Sequence, residues 1–527
     1  MWYGSLGANF LSKRRAISRP LLTAFILSAI HLTAYASTQA SAADDIRDHL
    51  KRAARYVRRA DFVKAEELLR KAVQMDPSRS DVKVELGFVL TKQRRLLEAY
   101  ELLLPIAQAE PKNTRAFAVF GTTLLAAGRF AEAKALFYTA INNNKKEHLA
   151  WAGYGMVDFY ENRIDDSLEN LREAVYRQPN EPDYVFALAQ ICARSERYKE
   201  AADNYKRFLQ VSEDADADRR ARIKGLIEFL SYLTLAEKLY SLSGTERSVI
   251  PFELVGNRPV IKLKVNGRPD VLRFVLDTGS GISVVSNKTA KRLKIGKVAK
   301  GGFARGLGGD GKFEIVYGML REIALGGVTI RNVPVYLRDF HHGGAEVDGY
   351  IGLALISKFL TTVDYGNSTM SLTRRDADVR QFTADSGELS LPLRLTSSGF
   401  LSGEVQLEGV SSPLNFIVDT GASISVISDE VARIDTISQF AAPGKLTVIG
   451  SAGVSDDKQT YKLPKVSFGN HTRKDVMAVA LDLGLINEAS GFEQAGILGG
   501  NFLKNYRLTF DFKNSKVIFV PIRPEQD

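Results

Sequence analysis

Two short stretches constrain this chain more than any other feature: Phe274-Val275-Leu276-Asp277-Thr278-Gly279-Ser280 and Phe416-Ile417-Val418-Asp419-Thr420-Gly421-Ala422. Each is an apolar run of strand length that ends in Asp-Thr-Gly. A second apolar-rich run follows, Ile282-Ser283-Val284-Val285 in one case and Ile424-Ser425-Val426-Ile427 in the other. A carboxylate at the tip of a buried strand is costly to desolvate alone. The chain does this twice in matching surroundings, 142 residues apart, so the two stretches read as half-sites that a fold brings together.

The correspondence continues downstream. Glycine-bearing turns come next, Gly306-Leu307-Gly308-Gly309 and Gly450-Ser451-Ala452-Gly453, and then paired β-rich runs ending near Leu337 and Ala480. Tyr350-Ile351-Gly352 and Ile497-Leu498-Gly499 follow, and each copy closes on an Asp (Asp364, Asp511) and an alternating strand. The shared order marks an internal duplication of a β unit. From about residue 249 to 521 it resembles the retropepsin-like aspartic proteases. The resemblance implies an all-β acid-protease domain with two lobes on one chain, as in pepsins, each copy being of the shorter retropepsin kind. It implies that Asp277 and Asp419 act together on a polypeptide substrate, and that Thr278 and Thr420 hydrogen-bond across the twofold. It also implies that turns 306–309 and 450–453 are flaps; two plain hairpin ends are the other reading, nearly as strong for the second turn.

Electrostatics gives the expected chemistry. Carboxylates brought together across a pseudo-twofold cannot both ionise, so the pair shares a proton. The ionised member takes a proton from water and the protonated member polarises the scissile carbonyl. This scheme calls for no metal, no cofactor and no covalent intermediate. Gly279 and Gly421 permit the tight turn that aims each carboxylate. Symmetry breaks one residue later, Ser280 against Ala422. A hydroxyl there can donate to the neighbouring carboxylate, so Asp277 is expected to be the ionised partner. This asymmetry and the short linker favour closure within one chain, as a monomer, over pairing across a homodimer. Asp364 and Asp511 are expected to face solvent or cap turns rather than to act in catalysis.

Upstream, a 34-residue period runs from about Asp45 to Glu213. Gly87, Gly121 and Gly155 share one register, and Ala65, Ala99, Ala133, Ser167 and Ala201 another. Large residues recur at Leu69, Leu103, Phe137, Leu171 and Tyr205, while Pro77, Pro111 and Pro179 follow helical segments. Small residues let two antiparallel helices cross closely while large ones fill the neighbouring holes, which is the tetratricopeptide pattern. Five repeats, about residues 46–215, predict an all-α solenoid whose concave groove takes a protein partner. A structural spacer or dimerisation module fits the same pattern. Cys192, the single cysteine, falls in a core register and is read as packing rather than chemistry.

Residues 1–43 pair a basic start (Lys13, Arg14, Arg15, Arg19) with the apolar run Leu21–Ala36 and small-residue cleavage sites, as a signal peptide does. An uncleaved membrane anchor is the competing reading. Either exports the rest of the chain, and export without disulfides suits a periplasm. The net charge of +10 is spread widely, with no basic-aromatic constellation for nucleic acid. His341-His342 have no third ligand nearby, so a metal site is not expected. The expected domains are the N-terminal segment 1–43, the solenoid 44–215, a helical linker or cap 216–248, a first lobe 249–374, a linker 375–388 and a second lobe 389–527.

Overall fold

The computed structural model describes residues 43–213, 217–309, 311–340, 346–375 and 389–522. The expected export signal, the linker between the β copies and His341-His342 therefore lie outside the described residues, apart from their last or first positions.

Five antiparallel helix pairs build the solenoid: α1 (43–58) with α2 (Phe62–Met75), α3 (Ser80–Lys92) with α4 (Leu96–Ala109), α5 (Thr114–Ala126) with α6 (Phe130–Asn143), α7 (His148–Tyr160) with α8 (Ile164–Arg177), and α9 (Pro182–Arg194) with α10 (Tyr198–Val211). The small-against-large rule holds at the crossings. A Cβ on Gly87, Gly121 or Gly155 would come within 2.7–2.8 Å of Leu103, Phe137 or Leu171, each the large residue of its own repeat. Between the helices of each pair the chain reverses through one left-handed residue: Ala60, Arg94, Gly128, Asn162 and Glu196, with φ from +55° to +77°. These five also keep the 34-residue period. Cys192 is wholly buried, and burial pushes its thiol up to about 12, so it is packing as expected.

Helix α11 (Ala217–Leu235) leaves the solenoid by packing on α10 and hands the chain to the β region. The first lobe starts earlier than the sequence suggests. Strand β1 (Ser241–Gly244) already pairs with β8, so residues 241–248 belong to the sheet rather than to a linker. The first-lobe strands continue as β2 (Arg247–Val255), β3 (Arg258–Val265), β4 (Leu272–Leu276), β5 (Ser283–Ser286), β6 (Lys297–Arg305), β7 (Lys312–Leu325), β8 (Val328–Arg338), β9 (Gly349–Ile351), β10 (Phe359–Asp364) and β11 (Thr369–Arg374). The second lobe repeats them as β12 (Leu389–Pro392), β13 (Arg394–Leu395), β14 (Leu401–Leu407), β15 (Leu414–Val418), β16 (Ser425–Ser428), β17 (Ala441–Ile449), β18 (Val454–Phe468), β19 (His471–Leu481), β20 (Gly496–Leu498), β21 (Tyr506–Asp511) and β22 (Lys516–Pro521).

The lobes join through a six-strand stretch of one sheet whose order reads the same from both ends. β2, β11 and β10 from the first lobe meet β21, β22 and β12 from the second. At the centre β10 and β21 pair antiparallel, Thr362 against Thr509, and those two hydroxyls lie 2.9 Å apart. Asp364 and Asp511 close the turns beyond these strands by accepting from Asn367 and Asn514, the capping role expected of them.

The solenoid does not stand apart from the β region. Four of its left-handed turns dock on the β region as a ladder, three on the second lobe and one on the first. Arg94 pairs with Glu493 at 3.4 Å, and Asn162 donates to Phe512 O at 3.3 Å. Asn415 reaches Gly128 O at 3.5 Å, while Glu196 bridges to Lys358 of the first lobe. At the centre, Phe492 from the second lobe is fully buried among Phe130 and Tyr160 of the solenoid, at centroid distances of 4.9 and 5.0 Å. Emptying so large a site costs about 3–5 kcal/mol. Phe492→Ala is therefore expected to split thermal unfolding into two transitions in calorimetry, the solenoid and the β domain melting apart.

Candidate active site

Asp277 and Asp419 sit just beyond the ends of β4 and β15, the two strands that run into the twofold axis. Each strand is locked by a parallel neighbour, β4 by β9 and β15 by β20, which carry the apolar-apolar-Gly elements. The register then delivers Asp277 N–H to Ile351 O and Asp419 N–H to Leu498 O, both at 3.0 Å. Beyond the aspartates, the two loops are held to each other by the threonines. Thr278 Oγ1 donates to Val418 O at 2.6 Å and accepts from Thr420 N–H at 3.0 Å. Thr420 Oγ1 donates to Leu276 O at 2.7 Å and accepts from Thr278 N–H at 3.2 Å. Both threonines are fully buried, so these four bonds have no competing water.

The glycines serve approach rather than turn geometry. A Cβ on Gly279 would lie 2.4 Å from the carboxyl carbon of Asp419, and one on Gly421 would lie 2.7 Å from that of Asp277. Each lobe's backbone passes directly beside the other lobe's carboxylate, and only a residue without a side chain permits it. The two carboxyls are thereby brought close enough to act on each other electrostatically.

Burial raises both carboxyls of the pair, and the groups around them differ. Burial first, and then the neighbouring Asp419 charge, push the Asp277 carboxyl well above the usual carboxylate range. Burial raises Asp419 too, but the Asp277 proton and the N–H groups of Gly421, Gly279 and Ala422 pull it back. The Gly421 N–H donates to its Oδ1 at 2.7 Å. Asp277 is offset by a single such donor, Gly279 N–H, together with the more distant Arg338 charge. The pair is therefore arranged to hold one proton between two buried carboxyls, with the Gly421 N–H set on Asp419. The Ser280 hydroxyl, expected to favour a charged Asp277, instead donates to Ile282 O at 2.8 Å, and the Ala422 N–H donates to the Asp419 main-chain O at 3.3 Å.

Both glycine turns are hairpin tips, between β6 and β7 and between β17 and β18, and they meet. Ala452 N–H donates to Leu307 O at 2.7 Å, and Gly309 N–H donates to Val454 O at 3.1 Å. The approach is close at several points. A Cβ on Gly308 would lie 2.1 Å from Gly453 O, one on Gly450 2.3 Å from Leu307 O, and one on Gly306 2.1 Å from Ser451 Oγ. The two hairpins differ in support. Helix α11 lies on the first: a Cβ on Gly225 would reach Lys300 O at 1.9 Å, Arg222 donates to Phe303 O at 3.0 Å, and Phe229 stacks on Tyr317 at 4.2 Å. Strand β17 of the second hairpin is exposed along most of its length.

Arg338, at the end of β8, was not singled out by sequence reasoning. Its guanidinium donates to Ser451 O at 2.7 Å and stacks on Phe313 at 4.0 Å. The signal that could have found it was a second break in the duplication, since the position matching Arg338 in the other copy is Leu481. Among the described residues, no group of three or more His, Cys, Asp and Glu is placed to hold a metal ion.

Comparison with known proteins agrees with this architecture. The family described as Aspartyl protease matches residues 261–355 and 403–502, two segments in tandem. Tetratricopeptide repeat families match residues 56–120 and 155–218. Among solved structures, Pseudomonas aeruginosa pilF is 18% identical over 37% of this chain and 87% of its own, at a TM-score of 0.29. TTC0263, a thermophilic TPR protein of Thermus thermophilus, is 17% identical over 36% and 100%, at a TM-score of 0.30. MamA of Desulfovibrio magneticus RS-1 is 17% identical over 33% and 98%, at a TM-score of 0.24. These likenesses are too slight to say anything of function. No curated protein matches the chain. The chain therefore joins an N-terminal tetratricopeptide-repeat region to an aspartyl-protease domain carried as two tandem segments.

Proposed function

We propose that this chain is an aspartic endopeptidase, a hydrolase in which Asp419 and Asp277 activate water for attack on a peptide bond. The observation that carries this reading is the buried pair of carboxyls, each lying against the other lobe's glycine, on loops joined by the four threonine bonds. Asp419, whose Oδ1 accepts from the Gly421 N–H, is the ionised member and takes the proton from a water seated between the two carboxyls. Asp277, protonated, donates to the scissile carbonyl and stabilises charge as the tetrahedral centre forms. The flap tips close over an extended substrate, whose backbone pairs with the cleft as an added strand. Of the two flaps, the second is the one free to lift, because α11 holds the first from outside. The solenoid recruits a protein substrate or partner, the lobes close within a monomer, and residues 1–43 export or anchor the chain on the periplasmic side.

A peptide-library cleavage assay across pH tests this reading. The active form holds one proton on the pair. Turnover is expected to rise with pH as the first proton leaves, and to fall as pH climbs through the Asp277 ionisation. Because burial and the neighbouring charge raise that ionisation, the alkaline limb is expected above the ordinary carboxylate range of about 4. Peptide binding without turnover at any pH would leave only a non-catalytic peptide-binding scaffold.

A further inference from the structure

The duplication supplies its own internal control for reading specificity. Strands β5 and β8 pair in parallel with Ser286 opposite Arg338, and β16 and β19 pair in the same register with Ser428 opposite Leu481. The two positions are thus related by the pseudo-twofold, on opposite walls of the cleft. On the second-lobe wall, Leu481 is buried in an apolar cluster against which Leu307, the tip of the first flap, and Ala422 and Ile424 pack. On the first-lobe wall, Arg338 meets Ser451, the matching tip of the second flap. Each flap tip has crossed to the opposite lobe. One half of the cleft is closed by Leu307 on an apolar cluster that includes Leu481, the other by Ser451 on Arg338.

Arg338 is incompletely satisfied where it stands. Its Nη2 has the Ser451 carbonyl and its face has the Phe313 ring. Its Nε is buried with no hydrogen-bond partner, and no carboxylate among the described residues pairs with it. Burial lowers its pKa, the mark of a cation short of counter-charge, and its field reaches Asp277. A guanidinium is built for two parallel bonds to a carboxylate, and a lone main-chain carbonyl uses only one arm of that fork. When the second flap lifts to admit a substrate, even that carbonyl leaves.

We propose that Arg338 is the specificity-determining residue of the cleft and selects a peptide with an acidic side chain on the Asp277 side of the scissile bond, an apolar side chain lying opposite against Leu481. This rests on the endopeptidase reading for its cleavage arm only. The carboxylate takes the open arm of the fork, and the uncharged second half of the site gives the peptide one direction across a cleft that is otherwise nearly symmetric.

The test uses the full-length chain and fluorogenic decapeptides that carry Glu, Gln, Lys or Leu at each of the two positions flanking the cleaved bond. The wild-type chain is expected to favour Glu over Gln at one flanking position by roughly tenfold or more in kcat/KM, the scale of a charge-assisted pair. It should favour Leu over Glu at the other. Arg338→Leu is expected to erase the Glu preference, and Arg338→Glu to replace it with a preference for Lys. Equal rates on the Glu and Gln peptides, or a Glu preference that persists in both variants, overturns the assignment while leaving the endopeptidase intact. If nothing is cleaved, the endopeptidase reading fails, and anisotropy of the same labelled peptides decides the specificity separately. Tighter binding of Glu peptides that Arg338→Leu removes supports the site; indifference to Glu overturns it.

Discussion

Asp277→Asn is expected to lower kcat by roughly a thousandfold, within the range for a positioned acid or base, with little change in KM. Asp419→Asn should do the same, since one proton shared by two carboxyls is a property of the pair and not of either residue. The two variants differ in a second measurement. Asp277 has its folded-state pKa raised by burial and by Asp419. A raised carboxyl contributes stability that is fully present below its unfolded pKa and is lost as pH rises through the folded one. Asparagine removes that penalty, so Asp277→Asn is expected to melt at or above the wild-type temperature at alkaline pH. Asp419→Asn puts a weaker acceptor in place of the carboxylate that accepts from the Gly421 N–H at 2.7 Å, and it should gain less or lose stability. Hydrolysis that survives Asp277→Asn would falsify the catalytic assignment. A variant that is inactive because it is unfolded is recognised by its melt.

Thr278→Val is expected to be among the most destabilising single changes in the β region. Valine matches the shape of threonine but removes the hydroxyl that donates to Val418 O and accepts from Thr420 N–H. Both main-chain groups then stay buried without partners, at roughly 1–3 kcal/mol each. A loss on the order of 2–6 kcal/mol should appear in urea denaturation. Activity should fall more steeply than folding, because the same bonds set the distance between the carboxyls. Thr420→Val removes the mirror-image pair, donating to Leu276 O and accepting from Thr278 N–H. The double variant should cost less than the sum of the singles, since the four bonds form one linked unit. Full additivity, or a single-variant loss below about half a kilocalorie, would show that the lobes are held chiefly by the central sheet.

Much of this protein was readable from local pattern. The solenoid announced itself because each repeat packs only on its neighbours, so Gly87 and Leu103, or Gly121 and Phe137, meet at short and repeated sequence distances. The two half-sites were legible because a duplicated unit writes its active-site loop twice. Other features left no such trace. The docking of the second lobe on the solenoid joins Phe492 to Phe130 and Tyr160, residues hundreds of positions apart in elements of different periodicity. The hold of α11 on the first flap rests on Gly225 against Lys300, where a glycine inside a helical pattern showed only a weak local cost.

The proton's position shows the boundary most clearly. From sequence, the Ser280 hydroxyl was the visible difference between the two loops, and it pointed to Asp277 as the charged partner. Folding turned that hydroxyl onto Ile282 O and set the Gly421 N–H on Asp419 Oδ1. Main-chain donors are identical at every residue and so carry no sequence signal. The sequence by itself determined that two aspartates would meet, because the strands, turns and glycines that bring them together are written in residue type. Which of them holds the charge was decided only by the tertiary structure, because it depends on where backbone dipoles point once the lobes have closed.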